Sequence, residues 1–285
     1  MKRLLPLLAI PLLVAAAPAP KTPGDIVNAA PPGDWRTLDP DNTLYMRLAS
    51  GGVVTIELAP DFAPVTVANI RALVRAHYFD GSFITREQDN YVVQWSADDA
   101  HEKAQAKLKG VAEFDRKPRP SFRALPDRDT YAPRAGFDSG FPAASDGRRE
   151  WLVHCYGMVG AGRDNPPNSG TGVELYAVTG QAPRQLDRNI TLVGRVVSGM
   201  AFLSGLPRGT GGLGFYMLPS QRTKIVSIRL ARDEPQRTPL QVLRTDSASF
   251  HAYVEARRNR RDAWFVHPAG HIDVCNIPIP ARPSR

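Results

Sequence analysis

The chain has 285 residues, 42% of them hydrophobic, and a formal net charge of +8. This length suits one large domain with extensions or two small ones, with enough apolar residues for a sizeable core. Neither of the two cysteines, Cys155 and Cys275, lies in a C-x-x-C motif, which argues against redox catalysis. The pair forms a disulfide in an oxidising compartment or stays as two small buried hydrophobes, and the sequence leaves that choice open.

The first residues read as a secretory signal peptide over 1–19. Lys2-Arg3 precedes the apolar run Leu4 to Ala17, and small residues Ala15, Ala17 and Ala19 form an A-x-A cleavage signal. The run is shorter than the roughly 20 residues of a spanning helix and is broken by Pro6 and Pro11. A mature protein outside the cytoplasm, without stable membrane insertion, is expected. Loss of Lys2 and Arg3 takes the charge from +8 to +6. The densest basic cluster, Arg257 to Arg261, lies in a segment with apolar residues at helical spacing, so it is read as a solvated helix face and no nucleic-acid partner is expected.

Residues 20–44, rich in Pro, Asp and Asn, read as a linker. Strands follow at Leu44 to Leu48 and Val53 to Leu58, joined by the hairpin signal Ser50-Gly51-Gly52. Pro64 opens an amphipathic helix on Val67, Ile70, Leu73 and Val74, ending near His77. Short strands at Ser82 to Arg86 and Tyr91 to Trp95 come next. From 97 to 149 a helix-prone piece (Asp98 to Leu108) precedes a Pro-, Gly- and Arg-rich stretch without a period, read as an irregular insert.

Order resumes at Trp151 to Val159, with strands at Glu174 to Val178, Thr191 to Val197 and Lys224 to Leu230, and a helical piece around Met200 to Leu206. Many strands and few helices imply a mainly β barrel. The extension 233–285 carries a helix capped by Asp246 or Ser247, with Phe250, Tyr253 and Val254 on one face, and a Pro-rich tail.

Over 45–232 the motifs resemble those of cyclophilin-type peptidyl-prolyl isomerases. Pro60-Asp61-Phe62-Ala63-Pro64-Val65-Thr66-Val67-Ala68-Asn69 is similar to the family's A-P-x-T-V-x-N-F, and Phe83-Ile84-Thr85-Arg86 with Tyr91-Val92-Val93-Gln94 to its F-H-R-V-I-x-x-F-x-x-Q-G-G. Glu174-Leu175-Tyr176 stands where S-Q-F-F is usual, and Leu186-Asp187 to Val196 resembles L-D-x-x-x-x-V-F-G-x-V. The resemblance implies an eight-stranded antiparallel barrel capped by two helices, acting on proline-containing polypeptide segments as a monomer without a cofactor.

Rotation about a peptide bond meets a barrier of about 18–20 kcal/mol. At its top the prolyl nitrogen loses conjugation and becomes a hydrogen-bond acceptor, so a donor aimed there stabilises only the transition state. Arginine suits the role, with fixed donors and permanent charge, and the resemblance assigns it to Arg86. It places Tyr91, Val92, Leu175 and Tyr176 around the proline pocket, with the Tyr176 hydroxyl needing a partner if buried. Gln94 orients Arg86 or binds substrate backbone, and Glu174 competes for Arg86. Gln185 and Ile190 fall where Trp and a His or Tyr are usual. The alternative is a proline-peptide-binding chaperone or assembly module that has lost turnover.

Three other patterns fall away. The Gly209 to Gly214 run lacks the Lys and strand–loop–helix context of a phosphate loop and reads as a flexible turn. Pro268 and Gly270 break the helix that His267 and His271 would need to bind metal together. His154 and Cys155, adjacent in a strand, point to opposite faces.

Overall fold

The computed structural model describes residues 21–97, 108–262 and 264–284. The signal-peptide reading of 1–19 and most of the helix-prone piece from Asp98 lie outside them. In order the chain forms α1 (Pro23–Asn28), β1 (Trp35–Thr37), β2 (Thr43–Leu48), β3 (Val53–Leu58), α2 (Pro64–Arg75), β4 (Phe83–Glu87) and β5 (Val92–Ser96). Next come β6 (Arg123–Ala124), β7 (Arg134–Asp138), β8 (Phe141–Ser145), β9 (Glu150–Leu152), β10 (Met158–Ala161) and β11 (Glu174–Val178). The remainder forms β12 (Leu192–Ser198), α3 (Ala201–Ser204), β13 (Thr223–Leu230), β14 (Leu240–Leu243), α4 (Ala248–Arg258) and β15 (Ala281–Pro283).

Eight antiparallel strands close a barrel in the order β10-β11-β5-β4-β13-β2-β3-β12. Closure leaves no free edge. The interior is filled by Met46, Val54, Ile56, Ile84, Trp95 and Leu175 among others, with the α2 residues Val67, Ile70 and Leu73 packed against it. Pro at the first turn of α2 suits a position whose N–H has no helical partner.

A second apolar layer lies outside the barrel. Phe137, Phe141, Trp151, Met158, Tyr176 and Phe250 belong to it. It joins the outer face of β10, β11 and β12 to the four-stranded sheet β6-β7-β8-β9 and to α4. The stretch read as irregular is therefore partly a sheet. Its β7–β8 hairpin turns on Ser139-Gly140, both at positive φ, as a two-residue hairpin turn requires. Four of the five residues of β7 and all of β8 are buried, so the strands show no alternation for a sequence reading to detect. The strand expected over Trp151 to Val159 divides into β9 and β10, which belong to different sheets.

The segment read as a linker is also folded. Thr22 caps α1 in a capping box with Asp25, and β1 pairs with β14, which pairs with β15. A helix of six residues and a strand of three are too short to show a period. Ser247 caps α4, its Oγ accepting from the Phe250 amide at 3.1 Å. A disulfide joins Cys155, just before β10, to Cys275 in the extension. Arg116 pairs with Asp138 and with Glu150 at 2.9 Å while its guanidinium covers the Phe62 ring, fastening the insert to the barrel. Among the described residues no helix is long and apolar enough to cross a membrane.

Phe250 is 2% exposed and meets Phe137 edge-on at 5.0 Å, linking the extension to the insert. Phe250→Ala is expected to cost about 3–5 kcal/mol of stability, read as a lower urea midpoint.

Candidate active site

Strand register sets up one row across the outer face of the barrel. Arg86 on β4 pairs with Gln94 on β5, Gln94 with Tyr176 on β11, and Tyr176 with Gly160 on β10. Residues directly opposite in neighbouring strands stand on the same face, so an arginine, an amide and an aromatic ring lie side by side. Val92, two residues before Gln94, shares that face, and Ile190 packs half-buried against the same apolar layer.

Arg86 is held on several sides. Its Nε donates to the Leu213 carbonyl at 2.6 Å, Nη1 donates to Gln94 Oε1 at 3.0 Å, and Nη2 donates to Gln88 Oε1. The guanidinium carbon lies 5.6 Å from the Tyr91 ring centre and 5.3 Å from that of Phe215, close enough for cation–π attraction. Burial lowers the Arg86 pKa, against the opposing pull of Tyr91 and Glu174. An arginine remains a cation regardless. Glu174 does not pair directly with Arg86. Gln94 stands between them, its side chain also hydrogen-bonded to the Glu174 carboxyl. Burial raises the Glu174 pKa, Gln94 lowers it, and Asp164 raises it further.

Tyr176 forms the centre of the row. A Cβ on Gly160 would lie 2.2 Å from its Cζ and hydroxyl oxygen, so only glycine lets the ring lie across β10. The hydroxyl meets His154 Nε2 at 3.0 Å, and His154 Nδ1 meets Asp187 Oδ1 at 2.9 Å. Asp187 Oδ2 accepts from Arg184 Nε at 3.2 Å, and Arg184 grips Asp129 of the insert with both terminal nitrogens at 2.7 and 3.1 Å. Burial opposes charge on Arg184, but Asp129 and Asp187 raise its pKa overall. Burial also raises the Tyr176 pKa, which keeps the phenol neutral.

Of the residues named from sequence, Arg86, Tyr91, Val92, Gln94, Glu174, Tyr176 and Ile190 gather on or beside this row. Leu175 does not. Side chains alternate along a strand, so with Tyr176 outward Leu175 points into the barrel, 1% exposed. Gln185 is exposed on the turn Ala182–Leu186, and no hydrogen bond joins it to Arg86, Gln94 or Tyr176. The sequence reading missed His154, Asp187, Leu213 and Phe215. The signal for the first two was the buried Tyr176 hydroxyl itself, which requires a partner.

Tyr176→Phe leaves His154 Nε2 facing an apolar ring in a fully buried site. A stability loss of about 1–3 kcal/mol is expected in chemical denaturation. The double change His154→Phe, Tyr176→Phe should lose less than the sum of the two single changes.

A family model described as cyclophilin type peptidyl-prolyl cis-trans isomerase/CLD matches residues 43–230. A probable peptidyl-prolyl cis-trans isomerase of Brucella suis is 29% identical over 174 residues, covering 60% of this chain and 74% of that protein. A protein of the same description from Brucella melitensis matches with the same identity and coverage. The crystal structure of cyclophilin AquaCyp293 from Hirschia baltica superposes with a TM-score of 0.70 at 28% identity, over 93% of this chain and 98% of that one. That likeness reaches past the family segment into the flanking residues. With a matched segment spanning the whole barrel, the chain belongs to the cyclophilin-type peptidyl-prolyl cis-trans isomerase family.

Proposed function

We propose that this isomerase turns over peptidyl-prolyl bonds in exported polypeptides, outside the cytoplasm, with Arg86 as the catalytic donor. The observation that carries the assignment is the register row, which sets the half-buried Arg86 guanidinium beside the apolar Val92 and Tyr176. Three of its five N–H groups are engaged by Leu213, Gln94 and Gln88, which fixes its plane. The others, one on each terminal nitrogen, remain for the carbonyl before the proline and for the prolyl nitrogen as it leaves the amide plane. Val92 and Tyr176 are themselves buried under the insert and the extension, so the proline ring meets the rim of the row at Arg86 and Tyr91. No covalent step is needed, because the barrier is electronic rotation. The stacked 2–19 pattern of charge, apolar run and small residues supports export, as does the Cys155–Cys275 disulfide, a bond typical of oxidising compartments.

Arg86→Ala should lower kcat/KM about 10²- to 10³-fold in a protease-free exchange assay on short Xaa-Pro peptides. Wild-type exchange no faster than the thermal background would sink the catalytic assignment. Peptide binding that persists without turnover would instead favour a proline-binding module.

Glu174 offers a second measurement. Its carboxylate draws on Gln94, the residue that orients Arg86. Glu174→Gln is expected to raise kcat/KM about two- to fivefold, a change of about 0.4–1 kcal/mol. Because the Glu174 pKa is raised, the wild-type carboxyl gains its proton at a pH above the usual glutamate range. Wild-type kcat/KM should therefore rise as pH falls through that window, while Glu174→Gln stays flat.

A further inference from the structure

The glycine-rich run Gly209-Thr210-Gly211-Gly212-Leu213-Gly214 is not a loose turn. It is fastened to β4 on both sides of Arg86. The Gly209 amide donates to the Glu87 carbonyl at 2.9 Å, the Tyr216 amide donates to the Thr85 carbonyl at 3.0 Å, and Arg86 forms an antiparallel bridge with Phe215. Buried Tyr216 donates its hydroxyl to the Pro207 carbonyl at 2.6 Å. Gly214 lies so close to β4 that a Cβ would stand 2.7 Å from Gln88 Cα and from the Glu87 oxygen. The glycines are there for close approach, not for mobility.

This fastening leaves apolar side chains exposed on the loop that contacts Arg86. Leu213 is 67% exposed, Met217 67% and Phe215 38%. Leu213 also sits at φ +57, in the left-handed region that a side chain bearing Cβ avoids. Strained backbone persists where the surroundings enforce it, and such positions cluster at ligand sites. Single exposed hydrophobes are ordinary, but three on one short loop fastened to the strand of a functional arginine are not.

We propose that Leu213, Phe215 and Met217 form a ledge that recognises an apolar side chain next to the proline, making this loop the specificity determinant of the isomerase. The occupant is the peptide already held at Arg86. The ledge adjoins that site, since Phe215 bridges Arg86 through the backbone and its ring lies within cation–π reach of the guanidinium, as the Tyr91 ring does. The Phe215 ring centre is 5.3 Å from Arg86 Cζ, a distance spanned by one or two extended residues at about 3.3–3.6 Å each. The residue read by the ledge therefore lies within two positions of the proline. Leucine, phenylalanine and methionine fit it best, because Met217 adapts to irregular apolar shapes and the ledge side chains carry no charge.

The inference rests on the isomerase reading above, and one experiment separates the two. Proline peptides carrying Leu, Phe or Ser at each of the two positions on either side of the proline are assayed by magnetisation-exchange NMR, without protease. For the flank that meets the ledge, apolar peptides should exceed the Ser peptide about tenfold in kcat/KM. The difference should lie mainly in KM, because the contact exists in ground and transition states alike. Met217→Ser and Leu213→Asn should bring the ratio towards one. Asparagine tolerates the left-handed backbone, so the carbonyl that holds Arg86 stays in place in the second variant. Equal wild-type rates on all peptides, or an unchanged ratio in both variants, would overturn the ledge while leaving the isomerase intact. Absence of exchange on every peptide would overturn both.

Discussion

A phenol buried on the outer wall of a barrel must keep its hydroxyl hydrogen-bonded, and much of this protein outside the barrel follows from that requirement. Tyr176 cannot turn towards the interior, where Leu175 and Trp95 already pack. It lies flat over Gly160 and hands its hydroxyl to His154. His154 is fully buried and needs its own partner, supplied by Asp187. Asp187 in turn is neutralised by Arg184, and Arg184 by Asp129 of the insert. Each link exists because the previous one would otherwise be an unsatisfied group in an apolar layer.

The insert and the extension thereby gain a physical role. They cover the outer faces of β10, β11 and the first half of β12, which makes those segments buried on both sides. In the dry layer so formed, the electrostatics of the row carry further than they would at an open surface. Arg86 sits at the border of that layer, half-buried, with the Tyr91 and Phe215 rings within cation–π reach. A guanidinium fixed in this way needs little reorganisation to donate to a group brought beside it.

The barrel was largely legible in the sequence, because the β2–β3 hairpin, α2 and the β4–β5 pair each show their own period and punctuation. The four-stranded sheet was not, since β7 and β8 are short and mostly buried on both faces, which erases alternation. Motif matching located Arg86, Gln94 and Tyr176, whose positions register then brought together. It misjudged Leu175, because a matched position does not say which face the residue takes. The pairing of Cys155 with Cys275 joins residues 120 apart, and no local pattern reports such a contact. Leu213 and Phe215 were hidden for a similar reason: a glycine run looks the same in sequence whether it is loose or pressed against a strand.

The chain order of the Arg86 row has a consequence for the nascent protein. Arg86 and Gln94 leave the ribosome early, yet β4 finds its barrel neighbour β13 only at Thr223, and the Cys155 anchor waits for Cys275. Local pairs form before distant ones are available. A chain stalled or truncated before residue 275 thus carries every residue of the Arg86 row but lacks the covalent clamp beside His154. The wall behind the Arg86 row is therefore closed only once the extension has docked.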